Sequence, residues 1–163
     1  MKNVYMIFGL MGLAALAGWG LTRALRIENQ SRRAEVARHV ILEIPTQEGD
    51  LKTILQKEAE KARQQNLKPF VEVTATWCGP CQRLLKCMDD PRMVDAFSGT
   101  YIIHLDHDFW KPQFESAGIV INGIPAFYRL DSDAHVTGVV TGAAWAEDIP
   151  ENIAPPLKKF LND

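Results

Sequence analysis

The chain has 163 residues, enough for one domain that buries its own core without disulfide staples. A composition of 47% hydrophobic and 23% charged residues excludes a disordered chain. The net charge of −2 is unevenly divided: residues 1–40 hold six Lys or Arg against two Glu, giving +4, and residues 41–163 hold twelve against eighteen acids, giving −6. In that larger part the basic residues are scattered and outnumbered, which excludes a nucleic-acid partner.

The first element is "VYMIFGLMGLAALAGWGL", Val4 to Leu21, uncharged over 18 residues. As a helix it would span about 27 Å, close to the hydrocarbon thickness of a bilayer. A cleaved signal peptide has a shorter apolar core, so the length favours a membrane anchor over residues 1–21. Ala15-Leu16-Ala17 nevertheless offers a small-residue cleavage site. With no Cys nearby, a lipoprotein anchor is excluded. Residues 22–39, "TRALRIENQSRRAEVARH", are polar and Arg-rich, as suits a solvated juxtamembrane tether. Five arginines, Arg23, Arg26, Arg32, Arg33 and Arg38, follow the apolar run, which by the positive-inside rule favours a cytoplasmic domain. A very short N-terminal tail before one apolar segment and a folded domain is also the layout of a bacterial export anchor. The expectation adopted is a membrane-anchored domain on the periplasmic or extracytoplasmic side, with the cytoplasmic side as the alternative.

Residues 40–163 read as one domain. "VILEI", Val40 to Ile44, is a short β-branched strand closed by Pro45. Asp50 is an N-cap for a helix over 51–68, whose apolar stripe is Leu51, Ile54, Leu55, Ala59 and Ala62, with Lys68-Pro69 as its end. "FVEVT", Phe70 to Thr74, is a strand interrupted by one acid, Glu72. "CQRLLKCM" is helical, and Asp90-Pro91 caps and opens another helix. "YIIHL", Tyr101 to Leu105, is a third strand. A loop or short helix follows around Lys111 to Gly118, then a fourth strand at the end of "NGIPAFYRL", the turn "DSDAH" and a fifth strand, "VTGVVTG". Pro155-Pro156 and "LKKFL" form a last helix. The predicted order β-α-β-α-β-α-β-β-α implies an α/β fold: a mixed sheet with helices on both faces and a closing antiparallel hairpin.

Trp77-Cys78-Gly79-Pro80-Cys81 falls between a predicted strand and a predicted helix. A thiolate at a helix N-terminus meets unpaired N–H groups and the positive end of the helix dipole, so its pKa falls and Cys78 is the expected nucleophile. Cys81, three residues on, lies on the same face and is the expected resolving thiol, less exposed than Cys78. Pro80 in the first turn loses no hydrogen bond and stiffens the loop. A zinc site would need two further ligands at suitable spacing. Cys87 falls on another helical face and reads as a small apolar packing residue, and His104 and His107 need not face the same way. No metal is expected.

Trp77 to Cys81, after a strand, resembles the active site of the thioredoxin superfamily, and the resemblance runs from about Val40 to Asp163. It implies a thioredoxin-like fold, with Ile124-Pro125 in "NGIPAF" at the family's cis-proline position and Gly142 at its glycine after the fifth strand. Glu72, six residues before Cys78, matches a buried acid that relays a proton to the second cysteine. An acid in an apolar strand would have a raised pKa suited to that task. Where a lysine is expected to face that acid, the third strand carries His104. The stretch from Lys68 to Phe97 looks closest to membrane-linked domains that pass electrons to exported proteins.

The resemblance implies a thiol:disulfide oxidoreductase needing no cofactor. Cys78 and Cys81 would form the redox disulfide, and Glu72 and Pro125 would assist. Trp77, Gly79, Pro80 and Ile124 would meet the substrate. Its partners would be disulfide-containing proteins and a reductase or membrane electron donor. Gly79-Pro80 implies a poise at the reducing end of the family. The alternatives are an oxidant or isomerase on the same fold, or a tethered metallochaperone or assembly factor.

Overall fold

Short apolar strands buried on both faces set the architecture. In a computed structural model, which describes residues 25–26, 38–44 and 49–163, the apolar runs form a five-stranded sheet of order β1-β3-β2-β4-β5. The strands are β1 (Val40–Glu43), β2 (Lys68–Thr74), β3 (Thr100–Asp106), β4 (Ala126–Leu130) and β5 (Val136–Thr141). β1, β3 and β2 are parallel, whereas β4 runs antiparallel to β2 and β5 antiparallel to β4. The helices are α1 (Leu51–Gln64), α2 (Gly79–Lys86), α3 (Pro91–Ala96), α4 (His107–Trp110) and α5 (Pro150–Asn162), with 3₁₀ turns at Lys111–Gln113 and Gly142–Ala144. Ala37–Asp163 forms one compact unit. The expected anchor, 1–21, and most of the tether, 22–39, lie outside the described residues. Among the described residues no helix is long and apolar enough to cross a membrane.

Each central strand sends alternate side chains to opposite faces. Val71, Val73, Tyr101, Ile103, Leu105, Ala126 and Tyr128 join Leu51, Leu55, Ala59 and Ala62 of α1 in one core. Phe70, Ile102 and Phe127 join Leu84, Met93, Ile153, Leu157 and Leu161 in the other. Glu72 and His104 follow Phe70 and Ile102 at a spacing of two, so both fall on the face covered by α2, α3 and α5.

The caps at Asp50 and Asp90 form as their sequences predict: Asp50 accepts from the Thr53 N–H at 2.8 Å and Asp90 from the Arg92 N–H at 2.9 Å. The far end of α1 differs from expectation. The helix stops at Gln64 and not at Lys68, because Asn66 takes a left-handed conformation, φ 57°. Leu67 N–H then reaches Ala62 O and Asn66 N–H reaches Arg63 O, each at 2.9 Å, closing a Schellman turn. Lys68 and Pro69, expected to end the helix, instead open β2.

The last helix also begins earlier than expected. Pro150 occupies its first turn, and Pro155 and Pro156 lie inside it. An interior proline costs about 3 kcal/mol. Burial of Ile153, Leu157 and Leu161, each at 0% exposure, contributes about 1.5–3 kcal/mol per side chain and offsets that cost.

Candidate active site

Cys78 is the N-cap of α2, in an extended conformation that ends the loop after β2. Its Sγ accepts the Cys81 backbone N–H at 3.2 Å. That donor and the helix dipole favour negative charge on Cys78 once the disulfide opens. Pro80 sits in the first turn, where its missing N–H costs nothing. Cys78 and Cys81 are joined, with S–S at 2.03 Å and Cα atoms 5.3 Å apart.

The sequence predicted Cys81 to be the more sheltered sulfur. The two are alike, 4% and 3% exposed, because Ala75 and Ile124 pack around the closed disulfide. What separates them is their surroundings. Cys78 Sγ lies 3.7 Å from the Ile124 carbonyl oxygen, beside the loop that precedes β4. Cys81 lines a cavity of about 200 Å³ that also holds Glu72 and His104.

The Ile124-Pro125 peptide is cis. Pro125 O accepts the Gly142 N–H at 2.9 Å, joining the start of β4 to the turn after β5. A Cβ at Gly142 would stand 3.2 Å from Pro125 Cδ, which explains the absence of a side chain there. Gly79 opens α2 beneath the Arg83 guanidinium, which is fixed to Asp148 at 2.8 Å.

Trp77 is 63% exposed. Its indole is nonetheless held: Nε1 donates to Asp108 Oδ2 at 2.7 Å, and His107 packs edge-on with ring centroids 5.8 Å apart. His107 Nδ1 pairs with Asp108 Oδ1 at 2.8 Å. The hydrogen bonds from His107 and Trp77 hold the Asp108 carboxyl below the usual carboxylate range. This clamp was missed in the sequence; its one visible signal was the polar "DHD" immediately after an apolar strand.

Glu72 is 6% exposed. Burial pushes its pKa up to about 7, against the opposing pull of His104 and with a smaller push from Glu43. It stands in register with His104 on β3 and Phe127 on β4. His104 is in turn in register with Glu43 on β1, and its Nδ1 is paired with the Glu43 carboxylate. His107 lies apart on α4, so the two histidines share no site. Cys87, at the end of α2, packs on the second core, and burial raises its pKa.

The dithiol therefore sits at a strand-loop-helix junction, with Cys78 beside the Ile124 carbonyl oxygen. A family model described as Thioredoxin matches residues 51–155. The chain belongs to the thioredoxin family. By family and dithiol it is a thiol:disulfide oxidoreductase. The fold is similar to that of a disulphide isomerase from Xylella fastidiosa Temecula1, at 19% identity and TM-score 0.54, over 74% of this chain and 96% of that one. Thioredoxin from Trypanosoma brucei brucei aligns at 18% identity and TM-score 0.49, over 76% and 92% of the two chains. Oxidised thioredoxin from Plasmodium falciparum aligns at 19% and 0.47, over 76% and 99%. No curated protein sequence matches the chain.

Proposed function

We propose that this thioredoxin-family protein reduces disulfides in protein substrates. The observation that carries the proposal is the asymmetry of the two sulfurs: Cys78 caps a helix beside Ile124, while Cys81 borders the cavity that holds a buried carboxyl. In the reduced protein, Cys78 thiolate attacks one sulfur of a substrate disulfide. The substrate S–S bond breaks, a Cys78–substrate disulfide forms, and the first substrate thiolate leaves and takes up a proton. Glu72 accepts the Cys81 proton, and Cys81 thiolate attacks Cys78 Sγ. The Cys78–Cys81 disulfide closes and the second substrate thiolate is released. Two electrons pass from the dithiol to the substrate, and a dithiol reductase or membrane electron donor must restore the dithiol.

Pro125 follows Ile124, whose carbonyl oxygen lies 3.7 Å from Cys78 Sγ, and that peptide marks where a substrate backbone would lie. Trp77, Ile124 and the Gly79-Pro80 turn supply the landing surface. Gly79-Pro80 supports the reducing direction over oxidation or isomerisation. In this reading, residues 1–21 anchor the protein in a membrane with the domain on the extracytoplasmic side.

The test is insulin reduction by the full-length protein with dithiothreitol as the electron source. Wild type accelerates it, Cys78→Ser falls to the uncatalysed rate, and Cys81→Ser accumulates the mixed disulfide. Wild type at the uncatalysed rate, with tight binding of copper or zinc, would instead support a metallochaperone. Labelling of intact cells with a membrane-impermeant thiol reagent tests the side: reaction of Cys78 only after lysis overturns the extracytoplasmic placement.

A further inference from the structure

Three neighbouring strands place Glu43, His104 and Glu72 side by side, each pair in register across the parallel ladder. All three line the cavity that reaches Cys81. Their exposure is graded: the Glu72 residue is 6% exposed, the His104 side chain 14% and the Glu43 side chain 74%. The row therefore runs from the buried sulfur to solvent. We infer that Glu43 and His104 are the exit for the proton that Glu72 takes from Cys81, so that the release step runs across the edge of the sheet and not through the substrate face.

This rests on the dithiol reading above and deepens it. Glu72 is buried, 6% exposed, so its proton needs a path to bulk water, and in this reading the substrate covers the other side of the disulfide during resolution. An imidazole can take a proton on one nitrogen and give it up from the other. His104 Nδ1 is already paired with Glu43, leaving Nε2 to receive. In sequence, the Cys81 S–H proton moves to the Glu72 carboxylate, then to His104 Nε2 as the Nδ1 proton passes to Glu43, and from Glu43 to water. No bond other than those to hydrogen changes; Glu72 and Glu43 return to carboxylates, and His104 is left as its Nε2–H tautomer, which proton exchange with water resets before the next turnover. The remaining titratable groups on the cavity are Asp106 of β3, bonded to the Phe109 N–H at 3.0 Å, and Cys81 itself. Among the described residues no Lys or Arg lines it. The cavity is roomy enough for water to bridge gaps between the polar groups. Glu43 and His104 do not touch the sulfurs; they act through Glu72.

The experiment uses the full-length reduced protein with Cys87→Ser throughout, mixed rapidly with an aromatic disulfide that releases a coloured thiolate. The first release reports attack by Cys78 and the second reports resolution by Cys81. Glu72→Gln slows the second phase about a hundredfold, the scale of a lost positioned proton acceptor. His104→Leu slows it roughly tenfold, and Glu43→Gln, an exposed change that leaves folding intact, slows it in the same direction. In both variants the first phase is unchanged, and the second regains its rate, and a new pH dependence, on adding imidazole or concentrated buffer. A second phase at the wild-type rate in His104→Leu and Glu43→Gln, with Glu72→Gln slow, overturns the exit. Loss of both phases in wild type overturns the oxidoreductase reading itself.

Discussion

Replacing Glu72 by Gln tests the buried acid without touching a sulfur. The folded protein holds the Glu72 proton up to about pH 7, against 4.5 for an ordinary glutamate, so between those values the native state binds more protons than the unfolded chain. Stability therefore falls as pH climbs from 4.5 to about 7, and Glu72 adds no further change above that. At about 1.4 kcal/mol for each tenfold change in an ionisation constant, the loss amounts to about 3 kcal/mol. That is a large share of the roughly 5–15 kcal/mol that holds a domain together. Glutamine keeps the shape and never ionises. The oxidised Glu72→Gln protein should match wild type near pH 4.5 and exceed it by up to about 3 kcal/mol at pH 8. Urea unfolding of both proteins across that range gives the difference directly, with other titrating groups cancelling. Equal midpoints at pH 8, or a difference that grows towards acid, would refute the argument that Glu72 is buried and pays for its charge in desolvation.

Other outcomes follow from the packing around the disulfide. Gly142→Ala puts a methyl 3.2 Å from Pro125 Cδ; KM for insulin should rise several-fold while the attack of Cys78 on a small aromatic disulfide stays within about twofold. Trp77→Phe keeps the apolar surface but loses the bond to Asp108, so KM should rise less than in Trp77→Ala, with unfolding midpoints near wild type because the ring is mostly exposed. Phe70→Ala empties a fully buried site in the second core and should cost about 3–5 kcal/mol in urea unfolding. Asp50→Ala removes the α1 cap and should cost about 1 kcal/mol, with no change in the attack rate of Cys78.

Local chemistry was legible. The caps at Asp50 and Asp90, the Pro80 first turn and the short apolar runs of β2 and β3 depend on neighbours a few residues apart, and their sequence signatures carried through. The end of α1 was harder to read, because Asn66 and Pro69 both stop helices. The left-handed turn at Asn66 prevailed by placing Leu67 against the core. Pro155-Pro156 suggested a helix start, yet the amphipathic spacing of Ile153, Leu157 and Leu161 carried the helix through both prolines.

By itself the sequence determined a dithiol at a strand-to-helix junction, an acid six residues upstream and a fold of matching element order, because each is written in short-range spacing. Only the tertiary structure decided that His104 stands between Glu43 and Glu72, that Asp108 and His107 clamp Trp77, and that Ile124 covers Cys78. Those juxtapositions depend on the pairing and register of strands far apart in the chain. Burial of two whole faces fixes that register, and no local pattern encodes it.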